Sequence, residues 1–184
     1  MKIFKTIFIT FIFLTCTVKA DLDQNLIKEF QQGGKLIFIR HAYAPGSGDP
    51  SNFNLDDCST QRNLSEDGKK QAQNIGKFFI ANKIKIQKVL SSEWCRCKDT
   101  AKIAFGNYET KNFLNSFYDE RFSENKDKQI LDFQKFIRNW NKTGNLVLVT
   151  HYVVISEILN LTTSSGEIVI TDTNLKFLSS LETN

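Results

Sequence analysis

Two short apolar runs, Leu36-Ile37-Phe38-Ile39 and Leu146-Val147-Leu148-Val149, constrain the fold most: both are continuous, and each leads within two residues to one of the chain's only two histidines, His41 and His151. A continuous run of β-branched, aromatic and leucine side chains reads as a strand buried on both faces, as in a parallel sheet covered by helices. The histidines therefore mark two strand ends. In open α/β sheets, sites form beyond the carboxyl ends of the strands, so the two imidazoles can face one another across a single crevice. A histidine taken alone is more often a satisfied polar group than a catalyst. Here both fall at the same kind of junction, and Arg40 precedes His41 with a guanidinium suited to gripping phosphate or carboxylate by two parallel hydrogen bonds.

Strand and helix signals alternate along the rest of the chain. Leu26, Ile27 and Phe30 recur at helical spacing over 23–32, and Gly33-Gly34 stops that helix. The first strand follows at 35–40. Ser65 reads as a helix cap with Glu66 and Asp67 in the first turn, and Ala72, Ile75, Phe78 and Phe79 continue the apolar face. A second strand spans 86–90, and Ser91-Ser92 turns into a helix carrying Thr100, Ala101 and Ile103. A helix over 127–141 sets Ile130, Leu131, Phe133, Phe136 and Ile137 on its buried side. The third strand ends at His151, a helix covers 153–159, and strands at 167–171 and 175–178 close the sheet. This alternation predicts an α/β fold, a three-layer α/β/α sandwich with a mostly parallel central sheet. The segment 42–57 is a loop of unusual length for a compact domain, the kind that is often functional. Its Gly46 and Gly48 lack the spacing of a phosphate-cradling P-loop and read as turn formers. Trp94, at a helix start, reads as core.

The first twenty residues stand apart. Lys2 and Lys5 precede an apolar stretch from Ile7 to Leu14, and Val18-Lys19-Ala20 has the pattern of a signal-peptidase site. The stretch is shorter than the roughly 20 residues that span a bilayer. Residues 1–20 are therefore expected to be a signal peptide, with a mature start near Asp21 and a periplasmic or secreted location. Cys16 suggests a lipoprotein anchor, but Thr15 is not the small residue expected before such a cysteine, so no stable membrane anchor is expected after cleavage. The remaining 164 residues, 21–184, suit a single domain. Loss of Lys2, Lys5 and Lys19 brings the formal charge of +4 down to +1, which makes no case for nucleic acid or a membrane surface.

Cys58, Cys95 and Cys97 remain. In an oxidising compartment three cysteines suggest one disulfide and one thiol. Residues i and i+2 point to different sides, so Cys58 is expected to be one partner and Cys95 is favoured as the other; the alternative is three small buried residues without a bridge. Cys-x-Cys without a second cluster is not a zinc spacing, and no metal is expected.

Taken together, Arg40-His41, the run Arg62-Asn63-Leu64-Ser65-Glu66-Asp67-Gly68-Lys69-Lys70-Gln71-Ala72, the segment Ser91-Ser92-Glu93-Trp94-Cys95-Arg96-Cys97-Lys98-Asp99-Thr100-Ala101 and Thr150-His151 resemble the histidine phosphatases of the phosphoglycerate mutase-like superfamily. The resemblance covers essentially the whole of 21–184, in order. It implies that His41 is the nucleophile that takes up a phosphoryl group, that His151 hydrogen-bonds the transferring oxygens, and that Arg40 and Arg96 complete the phosphate pocket. Arg62 corresponds in position to an arginine of the small phosphohistidine-phosphatase branch, so the resemblance implies a further phosphate or substrate contact there. Cys97 falls where the family has a small buried alanine, which makes it the free thiol. Cationic side chains around a phosphoryl group stabilise the charge on its equatorial oxygens, so no metal or other cofactor is implied.

The match is weakest at the proton donor for the leaving group. Tyr152 follows His151 where some members place an acid. Asp119, Glu120 and Glu167 are the candidate general acids, each set against the plainer reading of a solvated surface charge. The expected activity is hydrolysis of a phosphomonoester, pyrophosphate or phosphoramidate of a small molecule or of the cell envelope. A mutase fits less well, since the chain lacks the long extra segments of mutases. A phosphate-ligand binding protein of the same fold is the alternative. The oligomeric state is left open.

Overall fold

The computed structural model describes residues 24–183; the expected signal peptide, Cys16 and Asp23 lie outside the described residues. The elements run α1 (Gln24–Gln32), β1 (Leu36–Arg40), α2 (Glu66–Ala81), β2 (Ile86–Ser91), α3 (Cys95–Phe105), β3 (Glu109–Thr110), α4 (Glu120–Ser123), α5 (Lys126–Asn139), β4 (Asn145–Thr150), α6 (Tyr152–Leu159), β5 (Ile168–Thr171) and β6 (Phe177–Leu181). The strands form one sheet in the order β3-β2-β4-β1-β5-β6. The β3-β2, β2-β4 and β4-β1 pairs are parallel, while β5 and β6 add antiparallel at one side.

The apolar runs are buried on both faces because the period of two divides each strand between two cores. Ile37 and Ile39 of β1, with Val147 and Val149 of β4, pack beneath α1, α2 and α3 through Phe30, Ile75, Phe79 and Ala101. Leu36, Phe38, Leu146 and Leu148 turn the other way, onto Phe133 and Ile137 of α5 and Ile155 of α6. The result is the expected three-layer α/β/α arrangement, and it places the carboxyl ends of the two central parallel strands side by side.

The helix after β2 begins at Cys95 with Trp94 at its N-cap, as the sequence suggested, and Ser92 closes the strand end by donating its backbone N–H to Val149 O at 2.9 Å. Other features differ from the sequence expectation, each for a local reason. The last strand starts at Phe177: Leu175 lies in a turn with φ 65°, and the Asp172 carboxylate accepts from the backbone of Asn174 and Lys176. Leu131 is 53% exposed and not on the buried side of α5, since Gln129, Phe133 and Ile137 define that face and Leu131, two residues from Phe133, points to nearly the opposite side of the helix. The short α4 and β3 were not predicted; neither is long enough to generate a periodic signal.

Gly68 and Thr100 bring the helices against the site. A Cβ at Gly68 would fall 2.0 Å from Tyr43 O, so only glycine lets the first turn of α2 lie on the chain leaving β1. Thr100 Oγ1 donates to Arg96 O at 2.7 Å and accepts from Ala42 N–H at 3.0 Å, locking α3 to the residue after His41.

Candidate active site

Parallel pairing of β1 and β4 puts Arg40 opposite Thr150, so the next residues, His41 and His151, leave the sheet as neighbours. His41 N–H donates to Thr150 O at 2.9 Å, and the two imidazoles stand edge to face with ring centroids 5.4 Å apart. Each residue is 2% exposed. Burial, reinforced by the positive charge of Arg96, pushes both imidazoles well below the ordinary histidine pKa, so both are neutral at pH 7.

The ring tautomers follow from the partners. His41 Nδ1 lies 2.9 Å from Ala42 O, which can only accept, so Nδ1 carries the proton and Nε2 keeps its lone pair, with no hydrogen-bond partner among the described residues. Glu93 N–H donates to Asn115 Oδ1, and Asn115 Nδ2 donates to the Glu93 carboxylate, which fixes the amide. Ser92 Oγ therefore donates to Asn115 Oδ1 at 3.1 Å and accepts from His151 Nε2–H at 2.9 Å. Cys97 Sγ lies 3.5 Å from the same nitrogen, and burial pushes that thiol up to about 12, so it is a neutral packing group beside the imidazole.

Arg40, Arg62 and Arg96 surround the histidines in one cavity of about 100 Å³. That is well below the roughly 300–1,000 Å³ of pockets that enclose drug-sized ligands, and it suits a phosphoryl-sized group. Arg96 is the second residue of α3, where the helix macrodipole disfavours a cation. The carboxylate of Asp49, from the long loop, offsets this with an ion pair at 2.8 Å, both side chains being less than a tenth exposed. Arg40 Nη1 donates to Thr163 O, and its guanidinium lies 5.3 Å from the centroid of the Tyr152 ring. The Nε atoms of Arg40 and Arg96 are buried without a hydrogen-bond partner among the described residues. Buried donors are almost always paired, so two orphans in the wall of one cavity mark where an acceptor-rich ligand belongs.

Arg62 is in the cavity wall but is committed to the loop: its Nε donates to Gly48 O at 2.9 Å and its Nη1 to Ala44 O. It braces the segment that carries Asp49, rather than presenting a free fork as a substrate contact would. Cys58 and Cys95 form a disulfide, and Cys95 N–H donates to Gln61 Oε1 at 2.9 Å, so the same loop is tied to the start of α3; Cys97 is a buried free thiol.

The candidate acids are not brought together with the histidines in a usable form. Asp119 lines the cavity, but Arg121 binds it through both carboxylate oxygens and holds its carboxyl at about 2, the opposite of what a proton donor needs. Glu120 is exposed in the first turn of α4, outside the cavity lining. Glu167 also lies outside it and accepts from Ser164 N–H at 2.8 Å. Sequence reasoning missed Asp49 and Asn115. The signal for Asp49 was present: it is the lone acid in the first half of the long loop, between Gly48 and Pro50. Trp94 is buried, as expected, yet it also lines the cavity and donates from Nε1 to Asp49 at 3.1 Å. Among the described residues no group of three or more His, Cys, Asp or Glu is placed to hold a metal ion.

The model of the histidine phosphatase superfamily, branch 1, matches residues 36–126. The chain belongs to the histidine phosphatase superfamily. Solved structures agree with this at the level of the fold. The protein histidine phosphatase SixA, complexed with tungstate, is 13% identical and superposes with a TM-score of 0.57 over 80% of this chain and 96% of its own. The phosphoglycerate mutase of Thermus thermophilus is 17% identical, with a TM-score of 0.56 over 82% of this chain and 99% of its own. Protein TTHB049 of the same organism is 16% identical, with a TM-score of 0.57 over 80% and 99%. No curated protein sequence matches significantly. Within this superfamily the chain is of the phosphatase or mutase class, and its branch 1 match spans β1 to the start of α5, which includes His41, Arg62 and Arg96.

Proposed function

We propose that this chain is a secreted or periplasmic histidine phosphatase that hydrolyses a phosphomonoester, pyrophosphate or phosphoramidate through a phosphohistidine on His41. The observation that carries the reading is the facing pair of neutral imidazoles, 5.4 Å apart, in a cavity where Arg40 and Arg96 each hold a buried Nε donor that has no partner among the described residues. The lone pair of His41 Nε2 attacks phosphorus as the bond to the leaving group breaks, and the leaving group departs with the electron pair. Water then attacks phosphorus, the P–N bond breaks, and phosphate and neutral His41 are regenerated. Arg40 and Arg96 stabilise the charge on the equatorial oxygens throughout, which removes the need for a metal. His151 lines the same cavity with its one N–H given to Ser92 Oγ, so it donates to a phosphoryl oxygen only when protonated or when that hydrogen bond is exchanged.

With Asp119 locked as an anion and Glu120 and Glu167 outside the cavity, the favoured substrates carry a leaving group that departs without a strong proton donor. A phosphoramidate such as the phosphohistidine implied by the name of the SixA neighbour satisfies this, as does an aryl ester or a pyrophosphate. The Cys58–Cys95 disulfide supports an oxidising compartment, and no helix of the described residues is long and apolar enough to cross a membrane.

The test is hydrolysis of an aryl phosphate and of an alkyl phosphate in EDTA, by the chain and by His41→Asn. Turnover of the aryl ester that survives EDTA and vanishes in the variant is expected. Turnover that needs a divalent ion, or that survives loss of His41, contradicts the proposal.

A further inference from the structure

Among the described residues two carboxylates, Asp49 and Asp119, line the cavity, and of these Asp49 is the buried one, with 8% of its side chain exposed. It meets the guanidinium of Arg96 end-on: Nη1 donates to Oδ1 at 2.8 Å and Nη2 to Oδ2 at 3.1 Å. Trp94 Nε1 donates to Oδ2 at 3.1 Å, and the backbone N–H of Arg62 donates to Oδ1 at 3.0 Å. Four donors therefore converge on one carboxylate. Burial pushes its pKa up, but the Arg96 bonds and charge outweigh burial and hold it below the usual range, so it is an anion without a proton to give.

The geometry of the grip matters. A guanidinium has two usable forks, the end formed by both Nη atoms and the side edge formed by Nε and one Nη. Asp49 takes the end. The side edge is left, and its Nε is the buried orphan. Phosphate is bound by arginine through such parallel pairs of N–H donors. Asp49 is also held from its own side: Arg62 bonds Gly48 O and Ala44 O, and the Cys58–Cys95 disulfide ties the end of the loop to the residue before Arg96. The carboxylate is thus a fixed point against which a long, flexible side chain is set.

We propose that Asp49 is a positioning residue that grips Arg96 end-on, so that the Nε edge of Arg96 stays presented to the phosphoryl group transferred to His41. This rests on the phosphatase reading above. The opposite reading of the same contact is that Asp49 occupies the place of the phosphate and must be displaced, and the two differ in sign. A positioning residue raises kcat. A competing anion raises KM and weakens inhibition by inorganic phosphate, leaving kcat unchanged.

The experiment compares wild type, Asp49→Asn, Arg96→Lys and the double variant, with the disulfide intact, on 4-nitrophenyl phosphate, with inorganic phosphate as inhibitor. Asp49→Asn is expected to lower kcat by about 10- to 100-fold with KM changed by less than about threefold, the size of effect seen when a group supporting a reactive one is lost. In the Arg96→Lys background the same change is expected to cost less than about threefold, because the partner through which it acts is gone. An unchanged kcat, a lower KM and phosphate inhibition constant at constant kcat, or costs that multiply in full in the double variant each overturn the inference. If Asp49→Asn loses its cooperative melt, Trp94→Phe decides: it removes one donor to Asp49 while keeping an aromatic ring against Phe53, and kcat is expected to fall by about threefold. An unchanged kcat there overturns the inference. A wild type without turnover overturns both readings, whereas a working wild type with an unaffected Asp49→Asn overturns this one alone.

Discussion

Acidification from pH 7 to pH 5 should destabilise this fold through its two histidines, and the size of the effect can be worked from their burial. Both imidazoles are neutral in the folded chain because burial and the Arg96 charge hold their pKa values well below the ordinary value. In the unfolded chain each titrates near 6.5. Below that pH the unfolded state binds more protons than the folded state, so stability falls as pH falls and is recovered above it. While both groups stay neutral in the fold, each contributes a slope of about 1.4 kcal/mol per pH unit, together about 2.7 kcal/mol per unit. The depressed carboxylates, Asp49 among them, act in a separate window below about pH 4, since their stabilisation is lost only as the pH falls through the unfolded and then the folded values. The chain has no third histidine to confuse the slope. The assay is urea unfolding at intervals between pH 7.5 and 5, on wild type and on a variant carrying His41→Asn and His151→Asn. Wild type should lose stability steeply below about pH 6.5 while the variant stays flat. A flat wild-type curve, or an equal slope in the variant, refutes the reasoning.

Other consequences can be checked more simply. Reduction of the Cys58–Cys95 bridge, which spans 37 residues of sequence, should lower stability by about 3–4 kcal/mol, read as a shift of the urea midpoint; an unmoved midpoint contradicts this. Gly68→Ala sets a Cβ against Tyr43 O and should cost about 1–3 kcal/mol by thermal melting, where a helix-interior alanine would otherwise stabilise. Asp119→Asn should leave both alkyl and aryl phosphate hydrolysis within about twofold, because the carboxylate is spent on Arg121; a selective loss on the alkyl ester would return Asp119 to the role of acid.

The central sheet was legible because β1 and β4 are buried on both faces, and that burial writes an unbroken apolar run into the sequence. The same strands end at the histidines, so the crevice was legible too, together with Arg40 and Arg96. What could not be read were features decided by tertiary partners. Asp49 lies in a loop without periodicity, and its meaning arises only when Arg96 reaches it from another element. Asp119 and Arg121 are two residues apart in the chain, yet their bidentate pairing depends on the fold of α4, a four-residue helix too short to announce itself. Arg62 was legible as a cation near the site but not as the brace of the loop, because its partners are backbone carbonyls that carry no sequence identity.

The most direct test of the account is to trap the intermediate. Wild type and His41→Asn are mixed with an aryl phosphate labelled in its phosphoryl group, quenched within a turnover, and assayed for label that is stable to alkali, lost in acid and attached to the peptide holding residue 41. Label on wild type that is absent from the variant is predicted. Turnover without labelled protein, or label retained when His41 is replaced, contradicts the claim that this histidine carries the phosphoryl group.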